Sequence, residues 1–169
     1  AGYDFVIPGN HEFDYGMEQF LKLTSKMTCG YYCANLIDIK TRKLVLPPYK
    51  ILALGNKKVA FIGATTPQTL TSSTPKYFQD KNGKFIYGFL EDESGLKLYK
   101  ALQEAADRVR KEGADYVFLV GHLGTNGALP KWSSGAIAAH TYNIDAVIDG
   151  HSHEQYEPPH KVTNSIGKE

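Results

Sequence analysis

Polar residues able to bind a metal ion follow three short apolar stretches of this 169-residue sequence. They are Gly9-Asn10-His11-Glu12-Phe13-Asp14, Gly121-His122-Leu123-Gly124 and Asp149-Gly150-His151-Ser152-His153. Four of the six histidines and one asparagine therefore stand at the ends of apolar runs. Imidazole nitrogens, amide oxygens and carboxylates together suit divalent ions such as Zn²⁺, Mn²⁺ or Fe²⁺. The residue types predict a metal site.

The elements that must position these residues follow from the apolar pattern. Short β-branched runs that stop at glycine predict buried strands, and apolar residues at helical spacing predict helices. We expect strands over 3–8, 31–36, 115–120 and 145–149, helices over 15–27, 96–109 and 135–140, and a hairpin of 49–54 with 58–63 around Gly55-Asn56. The polar segment 65–85 is predicted to be a loop. Strands that alternate with helices indicate an α/β fold with a mixed sheet, and ligands of such folds lie beyond the carboxyl ends of the strands.

Composition places the chain among ordinary globular domains. It is 42% hydrophobic and 22% charged, with a net charge of +1, so nothing favours a nucleic-acid polymer as partner. No apolar run reaches the roughly 18 residues of a membrane helix, so no transmembrane segment is predicted. Cys29 and Cys33 are compatible with either a local bridge or two thiols, with thiols favoured.

The three polar stretches resemble motifs of the calcineurin-like metallophosphoesterases. Further segments resemble the branch that contains 5′-nucleotidases, 2′,3′-cyclic phosphodiesterases and UDP-sugar hydrolases: Phe13-Asp14-Tyr15-Gly16, Ala34-Asn35-Leu36, Pro48-Tyr49-Lys50-Ile51 and Ile62-Gly63-Ala64-Thr65-Thr66-Pro67. The resemblance covers roughly residues 3–154. It implies an αββα sandwich of the metallophosphoesterase type, with two divalent ions as cofactors.

The resemblance also implies roles for single residues. Asn10, His122 and His151 match ligands of one metal ion, and His153 matches a ligand of the other. His11 matches the histidine that contacts the phosphate, and Asp14 matches the carboxylate that orients that histidine. Simpler roles are the alternatives. His11 would then be a turn histidine, Asp14 a helix cap, and the histidines at 122, 151 and 153 ordinary polar residues at strand ends. Asp149 is expected to brace its loop through backbone hydrogen bonds.

The sequence departs from the family's pattern at its beginning and its end. The family's Asp-x-His and Gly-Asp motifs, which complete the metal shell, are not found in residues 1–9, and its C-terminal substrate domain is not found up to Glu169. We therefore expect residues 1–169 to be a partial catalytic domain, incomplete at the N-terminal side, that holds at most one ion well and has little or no activity alone. An exposed sheet edge would allow self-association.

The function implied is metal-dependent hydrolysis of nucleotide phosphate esters, of the 5′-nucleotidase type. Hydrolysis of 2′,3′-cyclic nucleotides or of nucleotide sugars is the alternative within enzymes. A non-catalytic binding or scaffold module with a residual metal site is the alternative of another class. By resemblance alone, the intact protein is expected to be exported to the periplasm, the cell surface or the medium.

Overall fold

The computed structural model describes residues 2–125 and 129–169 and contains a four-stranded mixed sheet. The strand order is β2-β3-β5-β6, with β2 (Tyr49–Leu54), β3 (Lys57–Thr65), β5 (Tyr116–His122) and β6 (Ala146–Ile148). β2 and β3 form the antiparallel hairpin predicted around Gly55-Asn56, while β3, β5 and β6 are parallel. The predicted α/β class and mixed sheet are confirmed.

One helical layer packs on this sheet. Helix α3 (Leu96–Lys111) buries a face at helical spacing, made by Leu98, Tyr99, Leu102, Ala105, Ala106 and Val109. This face meets the buried side chains of β3 and β5 in the larger hydrophobic core. Helix α4 (Ser134–His140) begins at Ser133, whose Oγ accepts a hydrogen bond from the Ala136 amide, and leads into β6. The helices predicted over 96–109 and 135–140 are thus present.

A second core, rich in aromatic rings, lies around the N-terminal part of the chain. Helix α1 (Met17–Thr24), shorter than the predicted 15–27, contributes Phe20, which packs on Phe13 with ring centroids 4.7 Å apart. Phe78 and Phe89 complete the cluster of rings around Phe13. This core fixes the segment on which Asn10 and His11 stand, because Phe13 ends the same 3₁₀ turn, Asn10–Phe13.

Two predicted strands are wrong. Residues 3–8 form only one isolated parallel bridge, from Val6 to Tyr31. Residues 31–36 form no strand because successive amides find different acceptors: Tyr32 donates to Val6, Cys33 to Pro47 and Ala34 to Gly63. A continuous ladder with a single neighbour is therefore impossible here. A two-stranded sheet of β1 (Ile37–Asp38) and β4 (Tyr87–Gly88) follows instead.

The segment 65–85 is more ordered than the predicted loop. It contains helix α2 (Thr69–Ser72) and a 3₁₀ turn, Pro75–Phe78. Phe78 is fully buried and anchors the segment to the aromatic core. Cys29 and Cys33 are both buried free thiols, as favoured by the sequence. Among the described residues, no helix has the length and apolarity required to cross a membrane.

Candidate metal and phosphate site

The predicted site residues lie where the parallel strands end. His122 is the last residue of β5, and His151 follows β6 by three positions. Asn10 lies in the 3₁₀ turn Asn10–Phe13, which comes beside them from the N-terminal part of the chain. Three separate segments therefore contribute to this edge of the sheet, as the open α/β architecture predicts.

Three donor atoms converge at this edge. His122 Nε2 lies 2.9 Å from Asn10 Oδ1 and 3.2 Å from His151 Nδ1. Ligands of one tetrahedral ion, at 2.0–2.1 Å from it, are roughly 3.4 Å from each other. The observed spacing is close to that value, so the three side chains fit part of the shell of a single divalent ion.

The environment favours the neutral form of both imidazoles. Burial lowers the pKa of His122, and the nearby His151 lowers it further. Burial also lowers the pKa of His151, opposed by the carboxylate of Asp149. A neutral imidazole has a free lone pair, which is the form that binds a metal ion.

His11 and Asp14 form a second group on the same turn. His11 Nδ1 lies 2.7 Å from Asp14 Oδ2, and the His11 side chain is 80% exposed. The hydrogen bond from His11 lowers the pKa of Asp14, to which a hydrogen bond from Ser73 also contributes. An ionised Asp14 holds the proton of His11 on Nδ1 and leaves Nε2 facing outward. Ser73 Oγ donates to Asp14 Oδ1 over 3.2 Å.

Asp149 links the two loops that carry the imidazoles. Its Oδ1 accepts hydrogen bonds from the amides of Leu123 and Gly150, each 2.8 Å long. Leu123 follows His122 directly, and Gly150 precedes His151. The predicted bracing role of Asp149 is therefore confirmed. Its Oδ2 is buried and has no hydrogen-bond partner within residues 2–125 and 129–169.

The backbone of the second histidine loop is strained. His151 has a φ of 84° and His153 a φ of 56°, a region that non-glycine residues rarely occupy. Strain of this kind collects at functional sites, where the surroundings impose it. His153 itself is exposed, and it is not part of the contact among Asn10, His122 and His151.

The donor set is incomplete for two ions. Within residues 2–125 and 129–169, no group of three His, Cys, Asp or Glu side chains is arranged to hold a metal. The converging set consists of two imidazoles and one amide oxygen, without a carboxylate. It therefore fits a partial shell of one ion.

Sequence reasoning missed the contact of Ser73 with Asp14. Ser73 lies 59 residues away in a segment predicted to be a loop, and local spacing carries no signal for such a pair. The same holds for Thr65, a buried residue at the end of β3. In the sequence, Thr65 stands out only as part of Ile62-Gly63-Ala64-Thr65-Thr66-Pro67, a segment that resembles the 5′-nucleotidase branch.

Comparison with known proteins shows which family the chain resembles. Residues 2–155 match the calcineurin-like phosphoesterase family. The 5′-nucleotidase of Vibrio cholerae is 29% identical over 163 residues, which is 90% of this chain and 27% of that protein. The NAD 5′-nucleotidase of Haemophilus influenzae is 31% identical over 159 residues, 92% of this chain and 23% of that protein.

A solved structure shows the same fold. The sulfate thiohydrolase SoxB of Thermus thermophilus superposes with a TM-score of 0.73 at 27% identity, over 95% of this chain and 26% of that one. The chain thus spans about a quarter of the length of each of these three proteins. With a family match over nearly its whole length and this arrangement at the strand ends, the chain belongs to the calcineurin-like phosphoesterases.

Proposed function

We propose that this chain is part of a metal-dependent hydrolase of nucleotide phosphate esters, of the 5′-nucleotidase type. The observation that carries the proposal is the convergence of Asn10 Oδ1, His122 Nε2 and His151 Nδ1 from three segments. The names of the two curated relatives support nucleotides as the substrate class. Export of the intact protein is proposed from the family resemblance only.

In this proposal, Asn10, His122 and His151 bind one divalent ion, and His153 binds the second. Two bound ions would supply a clamp for the phosphoryl oxygens and an activated water near neutral pH. The carboxylate ligands of that pair would come from residues outside 1–169, so the isolated chain would hold at most one ion well. This partial character of the catalytic domain is part of the proposal.

His11 and Asp14 act on the phosphate in this scheme. Asp14 Oδ2 accepts a hydrogen bond from Nδ1–H of His11 and thereby orients the ring. The exposed Nε2 then faces the position of the phosphoryl group, where a donor stabilises the charge of the transition state. No chemical step is assigned to Ser73, which supports Asp14.

Two measurements test the proposal. In the intact protein, phosphate release from 5′-AMP should require added Mn²⁺ or Zn²⁺ and should fall by roughly 10²–10³ in His11→Ala, the usual effect of losing such a donor. Parallel assays with 2′,3′-cyclic AMP and a UDP-sugar decide between the alternative substrates. Metal-dependent turnover that is unchanged in His11→Ala would contradict the assigned role.

Ion binding tests the site even where turnover is too slow to detect. Titration calorimetry with Mn²⁺ should show one ion or less per chain, and His122→Ala should weaken binding by at least about 100-fold. His140→Ala is the control, because His140 stacks on Tyr99 away from the site. Equal affinity in both variants, or two well-held ions in the isolated chain, would overturn the proposed ligand set.

A further inference from the structure

Thr65, the last residue of β3, connects the two segments that carry Asn10 and His122. Its Oγ1 donates a 2.5 Å hydrogen bond to the carbonyl of Pro8, two residues before Asn10. Its backbone is paired with His122 in the parallel ladder, and the next amide, that of Thr66, donates to the His122 carbonyl over 2.9 Å. Thr65 is fully buried. We propose that Thr65 is a positioning residue that sets the distance between Asn10 and His122.

Asn35 holds Thr65 in place from the other side. Its Oδ1 accepts from the Thr65 amide at 3.1 Å, and its Nδ2 donates to the Thr65 carbonyl at 2.7 Å. The same Nδ2 donates to the Phe89 carbonyl at 2.9 Å, and Asn35 is fully buried. Since both backbone groups of Thr65 are bound by one rigid side chain, its hydroxyl has little freedom and can act as a fixed point for Pro8.

The tether to the Asn10 segment depends on the Thr65 hydroxyl. In the described part of the chain, residues 3–8 make one β-bridge, from Val6 to Tyr31. Pro8 has no amide hydrogen, so its carbonyl is the one backbone group by which it can be bound. Without the hydroxyl of Thr65, the buried Pro8 carbonyl would lose this donor, and the turn that begins at Asn10 would gain freedom relative to His122.

Thr69 offers a matched control in the same region. It is as buried as Thr65, but its Oγ1 has no hydrogen-bond partner among the residues that the structure describes. Thr65→Val and Thr69→Val therefore make the same chemical change, and only the first removes a hydrogen bond. Thr65→Ser and Thr65→Ala form a second pair of variants, which differ from each other by the hydroxyl alone. This pair tests the role of the hydroxyl if valine at position 65 prevents folding.

The experiment is amide hydrogen exchange by NMR on the full chain, combined with Mn²⁺ titration. The Gly9 and Asp14 amides report on the turn, because they donate to Glu12 Oε2 and to the His11 carbonyl. The Ala34 amide, bound to the Gly63 carbonyl, reports on the sheet. We expect Thr65→Val and Thr65→Ala to speed exchange at Gly9 and Asp14 by about tenfold relative to Ala34, with no such change in Thr65→Ser or Thr69→Val.

Mn²⁺ affinity should fall by about tenfold or more in the variants without the hydroxyl. That consequence rests on the proposed function, whereas the exchange measurement does not. If the unmodified chain binds no Mn²⁺, the proposed function fails and exchange still decides the role of Thr65. Equal acceleration at Ala34 and Gly9, or exchange in Thr65→Ala that matches Thr65→Ser, would overturn the inference.

Discussion

At the scale of single residues, Asp149 shows how one carboxylate shapes the site without belonging to the converging donors. It binds the amides of Leu123 and Gly150 and so ties the loop after β5 to the loop after β6. Removing it in Asp149→Ala should lower the free energy of unfolding by about 2 kcal/mol, because the amides of Leu123 and Gly150 lose a carboxylate acceptor. It should also weaken Mn²⁺ binding by roughly 10–100-fold, since the two imidazoles lose their common support.

Asp145 provides the control for this prediction. Its Oδ2 accepts from the Val117 amide at 2.7 Å and from Arg110, so it makes a similar tie at the opposite end of β5 and β6. Asp145→Ala should destabilise the protein comparably in thermal unfolding but leave Mn²⁺ affinity unchanged. Loss of affinity in both variants in proportion to their stability would show that Asp149 has no specific effect on the site.

At the scale of elements, the crossing of residues 32–34 over β3 requires a glycine. A Cβ at Gly63 would lie 2.2 Å from the Tyr32 carbonyl oxygen, which is backbone and cannot rotate away. Gly63→Ala should therefore cost about 3 kcal/mol or more in chemical denaturation. Gly135→Ala in α4, where a Cβ meets nothing within 4 Å, should instead gain about 0.5 kcal/mol. Similar stability of the two variants would contradict this account of the crossing.

The elements also show what could be predicted from the sequence. The hairpin, α3 and the strands before His122 and His151 were predictable because their apolar periodicity and turn residues are local signals. The segments 3–8 and 31–36 look like strands by composition, yet the described part of the chain shows one isolated bridge for 3–8, and the amides of 32–34 donate to three different segments. Long-range partners of this kind leave no trace in a short window of sequence.

In the candidate site, too, some features were predictable from the sequence and others were not. The residue types of Asn10, His122 and His151 and the strand-end positions of the two histidines were predictable, and so was the pairing of His11 with Asp14, three residues apart. The supports of the site were not, because Thr65 and Pro8 are 57 residues apart. Polar residues that act through contacts at this separation are found only once the fold is known.

At the scale of the whole molecule, carboxylates outside the site should determine how much the free energy of unfolding falls at acid pH. The backbone amide of Lys58 donates to Asp115 and is the main cause of its lowered pKa, with Lys57 adding to the effect. The amide of Thr41 similarly lowers the pKa of Asp38. Asp115 ties the start of β3 to the start of β5, whereas Asp38 stabilises a local turn with Thr41, three residues further along the chain.

The sign of the effect follows from proton linkage. A carboxyl whose pKa is lower in the folded state binds more protons in the unfolded state at pH values between the two pKa values. Its contribution to the free energy of unfolding is therefore complete above the pKa of the unfolded state, about 3.9. This contribution is lost as the pH falls through the pKa of the folded state. The free energy of unfolding should decline below about pH 4, and the decline should be shallower in Asp115→Asn. Urea titrations between pH 2 and 7 measure this, at low and high salt. Hydrogen bonds rather than distant charges are the main cause of the lowered pKa values, so about 0.5 M salt should leave most of the pH dependence of the free energy of unfolding in place. If the free energy of unfolding of Asp115→Asn declined below about pH 4 as steeply as that of the unmodified protein, the effect would belong to other groups.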